Sequence, residues 1–144
     1  MATLHPILLS AITCNRVILD KVTGMPSVID IVQAINAWRY PARCPQIVFF
    51  CELTNGHGTT AVKVRLVDSQ DDDKVIFEKD GNVAFEDVRQ IVTLAMDLHG
   101  VMFPAPGEYR FQLFTGGDLL GERRVVCRKV VPPQDAKPEE QARG

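Results

Sequence analysis

Phe103-Pro104-Ala105-Pro106-Gly107-Glu108-Tyr109-Arg110-Phe111-Gln112-Leu113-Phe114-Thr115-Gly116-Gly117-Asp118 is the stretch that decides the fold. Two prolines and a glycine stiffen its approach, and from Glu108 the residues alternate. Tyr109, Phe111 and Leu113 point one way; Glu108, Arg110 and Gln112 point the other. That is the period-2 signature of a strand buried on one face. Gly116-Gly117-Asp118 predicts a tight turn, because glycine reaches positive φ without a Cβ clash. A second run, Leu119 to Val130, returns, so the whole stretch predicts a β-hairpin. Along the return, Leu120 and Val125 differ in parity, which predicts a bulge at Gly121. The face of Tyr109, Phe111 and Leu113 is expected to pack against Val62, Val64 and Leu66. The basic residues Arg123, Arg124, Arg128 and Lys129 are expected to be balanced by Asp118 and Glu122.

Working outward, the other runs read the same way. Thr60, Val62, Val64 and Leu66 alternate with Ala61, Lys63 and Arg65, a second half-buried strand. Ile47 to Leu53 is apolar on both faces apart from Glu52; such a strand is covered on both sides or shows one face to a partner. Asn55-Gly56 beyond it favours hairpin turn geometry. Ile7 to Asp20 predicts one long bent strand or two short ones, with a turn over Lys21–Pro26 and Gly24 at positive φ. Val28, Ile29, Ile31 and Val32 supply the return strand. Ser27 to Asn36 also fits a helix with Val28, Ile31, Val32 and Ile35 on one face. The Thr23-Gly24 turn between two β-branched runs favours a strand to about Ile31, with room for a helical turn after it. Trp38 to Pro45 holds two prolines and predicts a loop. Asp68 to Asp73 is an acidic turn, Lys74 to Lys79 a short strand, and Asp80-Gly81-Asn82 another turn. Val83 to Leu98 fits helix or strand; a strand from Ile91 leaves less apolar surface in water. His99 to Met102 then leads into the first stretch. About eight short strands at turn-spaced intervals predict an all-β fold, an antiparallel β-sandwich of immunoglobulin-like architecture. The domain spans 1–131. The polar, proline-rich residues 132–144 show no apolar period and are expected to form a disordered tail.

The 144 residues suffice for one domain with a real core. Lys and Arg number 16 against 18 Asp and Glu, a formal net charge of −2. With no basic surplus to displace counterions, nucleic-acid binding is not expected. No apolar run approaches the roughly 20 residues that span a bilayer, and Met1–Pro6 has no basic leader region, so neither a membrane partner nor secretion is expected. Cys14, Cys44, Cys51 and Cys127 are scattered, as small buried hydrophobes of a reducing compartment would be. A cytoplasmic protein is the expectation.

Leu8-Leu9 through Cys14, Val17-Ile18-Leu19-Asp20, Thr23-Gly24 and Ser27-Val28-Ile29 form a recognisable series. Val64 to Asp68, Phe103-Pro104-x-Pro106-Gly107-Glu108-Tyr109-x-Phe111 and Gly117 to Glu122 continue it. In these residues the chain resembles an uncharacterised family of small bacterial β-sandwich proteins. The resemblance covers most of residues 7–130 and is weakest over Ile31–Tyr40. It implies a fold and no catalytic residues.

The chemistry-bearing residues make thin constellations. Asp68 to Asp73 offers carboxylates for Ca²⁺, but one loop supplies too few of the six to eight oxygens, and it lacks the calcium-loop glycine and final glutamate. Cys51, His57, Cys44 and His99 lack the short spacing of zinc ligands. No Gly-x-Ser-x-Gly elbow is present for a hydrolase, and Gly116-Gly117 precedes a strand rather than a phosphate-binding helix. No cofactor is implied. Trp38, Arg39, Tyr40 and Arg43 gather the commonest interface anchors in one loop, and Val48 and Phe50 are candidates for an outer apolar face and a sheet-to-sheet dimer contact. The expected function is a non-catalytic module acting through a protein partner or self-association. A Ca²⁺- or ligand-dependent domain built on the acidic turn is the alternative, and a small hydrolase the third.

Overall fold

The computed structural model describes residues 5–132. The β-branched and aromatic runs within them become nine strands: β1 (Ile7–Leu19), β2 (Pro26–Ile31), β3 (Ala34–Ala37), β4 (Ala42–Thr54), β5 (Gly58–Asp68), β6 (Lys74–Phe85), β7 (Val92–Phe103), β8 (Gly107–Thr115) and β9 (Asp118–Lys129). They form a four-stranded sheet ordered β2-β1-β4-β7 and a five-stranded sheet ordered β3-β9-β8-β5-β6. All pairs are antiparallel except β3 with β9, which run parallel. The two sheets bury one shared core, the arrangement of an immunoglobulin-like sandwich. Of the expected tail, only Pro132 lies within the described residues.

The β8–β9 hairpin sits in the middle of the larger sheet. Tyr109, Phe111 and Leu113 are fully buried. Val64 and Leu66 stand beside Leu113 and Phe111 on the neighbouring strand. They are side-by-side neighbours, not an opposing layer. The opposing layer is the other sheet, where the Phe49 ring lies 5.8 Å from that of Phe111. The return strand slips register between Leu113 and Phe114, leaving Leu120 unpaired next to Gly121. The expected bulge is there. Leu8 fills the space beside Gly121, where a Cβ would come within 2.5 Å of its methyl.

The Pro104–Pro106 approach is fastened by Tyr109. Its hydroxyl accepts a bond from the Ala105 N–H at 3.1 Å and donates to the Ala105 carbonyl. This is the geometry of the tyrosine corner in immunoglobulin-like sandwiches. Gly107 has φ 142°, and a Cβ there would fall 2.3 Å from Gln70 Nε2. The Gln70 side chain pairs with the Glu108 backbone at that spot, donating to its carbonyl at 3.0 Å.

Several local expectations are corrected. The described residues form nine strands, in line with the expected number of about eight, and the one departure from antiparallel pairing is β3 with β9. Residues after Ile31 form β3, not a helical turn, because the chain crosses to the other sheet and finds the edge of β9. Strand β4 begins at Ala42 and runs through Pro45, so only Trp38–Pro41 remains a loop. Asn55-Gly56 does turn, with Asn55 at φ 66°. It joins β4 to β5 in different sheets, so it is a crossover and not a hairpin. Asp80-Gly81-Asn82 lies inside β6, with Gly81 opposite Val62. His99–Met102 belongs to β7, which starts at Val92, close to the expected strand from Ile91.

Candidate interaction surface

Strand directions gather five segments at one end of the sandwich. Strand β4 begins there, β7 ends there, and β1, antiparallel to β4, ends there too. In the larger sheet β3, β5 and β9 finish at that end and β6 and β8 start. The β1–β2 turn, the Trp38–Pro41 loop, the acidic turn, the Pro104–Pro106 loop and the end of β9 are therefore neighbours.

The β1–β2 hairpin differs from everything else at this end. Pairing between β1 and β4 stops at Cys14–Val48. Continued register would bring Val17 opposite Pro45, which has no N–H to donate. Past that point β1 pairs only with β2, and none of residues 15–31 belongs to the main buried core. Val17 and Val28 root the hairpin on a second, small cluster of Cys14, Val48 and Phe50. The rest stands in water: Ile18 is 46% exposed, Leu19 63%, Val22 93%, Met25 59% and Ile31 51%.

This tip is well made, so the exposure is not the by-product of a loose loop. Asp20 Oδ1 accepts the N–H groups of Val22 at 2.8 Å and Thr23 at 2.9 Å. These bonds hold the Asp20 carboxyl below its ordinary pKa, the Thr23 N–H contributing most. The Gly24 N–H donates to the Asp20 carbonyl, and Asp20 N–H to the Met25 carbonyl. Gly24 takes φ 72°, as its place in the turn requires.

The interface candidates from the sequence lie near this hairpin in unequal states. Trp38 is half-buried; Arg39 and Arg43 are exposed. Tyr40 is a strut. Its hydroxyl lies 2.6 Å from the Arg128 carbonyl and 3.3 Å from that of Ile35, and burial pushes its pKa up to about 12. Val48 and Phe50 lie off the main core, on the opposite face of β4, but are only 2% and 6% exposed. The outer apolar face is thus largely closed by its own neighbours, Ile12, Val17 and Val28 among them. The loop and the two β4 residues do not form one continuous patch; the hairpin between them is what sequence reasoning missed. Its apolar residues look the same in sequence whether a sheet faces them or not.

Several other charges at this end are held by their own neighbours. Arg110 binds both Asp73 and Glu122, and its Nε donates to Ser69 Oγ at 3.1 Å. Asp68 Oδ1 accepts from the backbone and side chain of Gln70. The acidic turn is therefore tied to Arg110 and Gln70. The charge balance of β9 also differs from expectation. Asp118 pairs with His5 at 2.7 Å and Glu122 with Arg110, while Arg124 reaches Glu108 at 3.5 Å. Arg123 turns inward between the sheets and donates to Thr13 Oγ1 and the Val32 carbonyl, joining β9 to β1. A groove beside Phe114 is lined by Lys63 and Arg65, whose charges already meet Asp80 at 3.8 Å and Glu78 at 2.9 Å.

The cysteines are buried thiols. Burial pushes Cys51 and Cys127 up to about 12, and raises Cys44 and Cys14 as well. Thiols held protonated by burial are weak nucleophiles at neutral pH. His57 and His99 are exposed. Among the described residues no three His, Cys, Asp or Glu side chains converge as metal ligands would. No helix there is long and apolar enough to cross a membrane.

Solved structures offer distant likenesses. A β-glucosidase from Listeria innocua matches at 11% identity with a TM-score of 0.49, over 88% of this chain and 17% of the enzyme. A β-glucosidase from Kluyveromyces marxianus matches at 13% identity and TM-score 0.43, over 67% and 14%. An immunoglobulin-like protein from Pseudomonas aeruginosa matches at 13% identity and TM-score 0.38, over 89% and 94%. This chain thus spans less than a fifth of either glucosidase, and such low values carry no chemistry across. Among curated proteins none matches. A family model does, over residues 9–127, and by it this chain belongs to a family of unknown function, DUF6941.

Proposed function

We propose that this chain is a non-catalytic β-sandwich module that works by protein contact, through the β1–β2 hairpin and the Trp38 loop beside it. The observation that carries the reading is the hairpin tip: an ordered turn with Leu19, Val22 and Met25 in water. Contiguous exposed apolar surface of this kind marks interaction sites in soluble proteins, and a hairpin without a facing sheet gains stability when one is supplied. The raised thiol pKa values support a role without nucleophilic cysteine chemistry, and the ties of Asp68 to Gln70 and of Asp73 to Arg110 leave the turn fewer carboxylates for Ca²⁺. The near-neutral charge supports a protein partner over nucleic acid or an anionic membrane. Four buried, unbridged cysteines suit the cytoplasm.

A photoreactive residue placed at Val22 tests this in the native cells. The expected result is a discrete adduct of defined mass, lost when Leu19 and Met25 are both changed to serine. A chain that yields no adduct, or the same adducts with both serines, overturns the reading.

A further inference from the structure

Arg16 and Ile18 on β1 and Asp20 just past its end follow one another at two-residue spacing. Hairpin pairing persists through Asp20, whose N–H meets the Met25 carbonyl, so the three share one face. Arg16 is exposed, Ile18 is half in water, and Asp20 is exposed. Neither charge belongs to an ion pair among the described residues. The turn bonds of Asp20 both fall on Oδ1. Positive, apolar, negative, evenly spaced, is a self-complementary order. Turned by a twofold axis through Ile18, it meets itself with every sign satisfied.

We infer that the partner of the β1–β2 hairpin is a second copy of this chain, related by a twofold axis at Ile18. This rests on the reading of the hairpin as a contact surface. In that arrangement Arg16 of each copy faces Asp20 of the other, and Ile18 packs on Ile18. The twofold makes the contact closed and isologous, so it stops at a dimer.

Three further observations favour this occupant. The hairpin is electrically neutral, with Arg16 and Lys21 set against Asp20 and Asp30, so it has no net pull toward an anionic lipid surface or a charged peptide. On the face of Ile18, strand β2 adds Ile29, paired with Arg16, and the exposed Ile31, paired with Cys14, so apolar side chains flank the proposed axis and are set among the two charges. Finally, strand-to-strand addition is blunted on this edge. Strand β2 has six residues, starts at Pro26 and carries Asp30 at φ 56°, features that protect an edge. The contact therefore runs through side chains, where the order of charges matters.

Sedimentation velocity of the full chain between about 5 and 200 µM tests this, with Arg16→Asp, Asp20→Arg and the double variant. The wild type is expected to show a concentration-dependent dimer. Each single variant sets like charges opposite each other and weakens it about tenfold or more. The double variant exchanges both signs in each copy and returns to within a few-fold of wild type. An equal mixture of the two singles also dimerises, because each supplies what the other lacks. Asp20→Arg removes the turn bonds, so Ile18→Asp, which leaves them intact, serves as a second disrupting variant; thermal melts accompany all of them. A wild type monomeric throughout, or singles that dimerise as well as wild type, overturns the proposal. So does a failure of both the mixture and the double variant to recover when their melts match wild type. If the wild type is monomeric while the Val22 adduct forms with another protein, the contact surface stands and the second copy falls.

Discussion

The chain contains two hairpins of nearly the same local design and opposite fates. The β8–β9 hairpin turns at two glycines and the β1–β2 hairpin at Asp20–Met25 with Gly24. Both carry apolar residues on both strands. Yet Tyr109, Phe111 and Leu113 lose all contact with water, while Leu19, Val22 and Met25 keep most of it. The difference is what stands opposite. Phe111 meets Phe49 from the other sheet; the distal part of β1–β2 has outrun β4 and has no facing sheet among the described residues. Apolar pattern makes a strand, but only a second layer makes a core. On the function proposed above, a hairpin that has the pattern without the layer keeps its apolar surface for a partner.

The sharpest way to break this comparison is at the buried hairpin. Phe111→Ala removes a ring packed on Phe49 and leaves a cavity between the sheets, and is expected to cost about 3–5 kcal/mol. Urea unfolding with an unchanged m-value reads it. A loss under 1 kcal/mol would show that the β8–β9 face is not the centre of the core.

The two hairpins also differ in how they titrate. Cys127 on β9 is pushed up to about 12 by burial first, with Cys44 nearby adding to it. Its unfolded value is near 9, so below pH 9 both states are protonated and stability is flat. Above 9 the unfolded chain sheds this proton first, and stability falls until pH passes about 12, at roughly 1.4 kcal/mol per unit for one such group. Asp20 on β1 works on the other side. Its carboxyl is lowered in the folded chain, so its contribution is present above the unfolded value and is lost as pH falls through the folded one. Urea melts at pH 8, 9, 10 and 11 on wild type and Cys127→Ala are expected to show the shallower alkaline decline in the variant. Equal slopes would place Cys127 in contact with water.

A smaller effect is expected at the corner. Tyr109→Phe keeps the ring against Phe103, whose centroid lies 5.0 Å away, and deletes only the bonds to Ala105. The expected loss is about 1 kcal/mol, the ordinary net worth of a buried hydrogen bond. Leu113→Ala, a cavity without a polar loss, gives the scale against which thermal melts place it.

The β8–β9 hairpin was legible because everything that defines it is local: alternation, a glycine turn, a parity break at Leu120. The same holds for β1, β2 and β5. What could not be seen locally was which strand pairs with which. Asn55-Gly56 has hairpin chemistry, and only the partners of β4 and β5 in different sheets reveal a crossover. Strand β3 is four residues long and exists because β9 offers it an edge far along the chain. Pro45 and Gly81 looked like breaks; Pro45 sits where pairing with β1 has already ended, and Gly81 lies in an outer strand opposite Val62. The candidate surface was half legible for the same reason. Trp38, Arg39, Tyr40 and Arg43 stood out by residue type, though Tyr40 proves to be a strut. Val48 and Phe50 stood out by being apolar on the second face of a strand. The exposure of Leu19, Val22 and Met25 depends on where β4 stops pairing, and no local pattern records that.

The smallest expected effect is the most informative about the exposed hairpin. Leu19→Ser with Val22→Ser removes two large apolar side chains, a change that in a core costs several kcal/mol. Here both side chains are in water, so the folded and unfolded states lose nearly the same contacts and stability at low protein concentration is expected to move by no more than about 0.5 kcal/mol. The turn bonds of Asp20 use backbone groups and survive the change. Dilute urea melts should therefore coincide for the variant and wild type. If a contact through Leu19 and Val22 forms, the two curves separate as concentration rises, because only the wild type is stabilised by association; a twofold contact through the opposite face, at Ile18, leaves them together. Hydrogen exchange locates the separation: protection of the amides in 16–29 should grow with concentration in the wild type and stay constant in the variant. A variant already destabilised by 2 kcal/mol in dilute solution would mean that Leu19 and Val22 are buried within the single chain, and the contrast between the two hairpins would collapse.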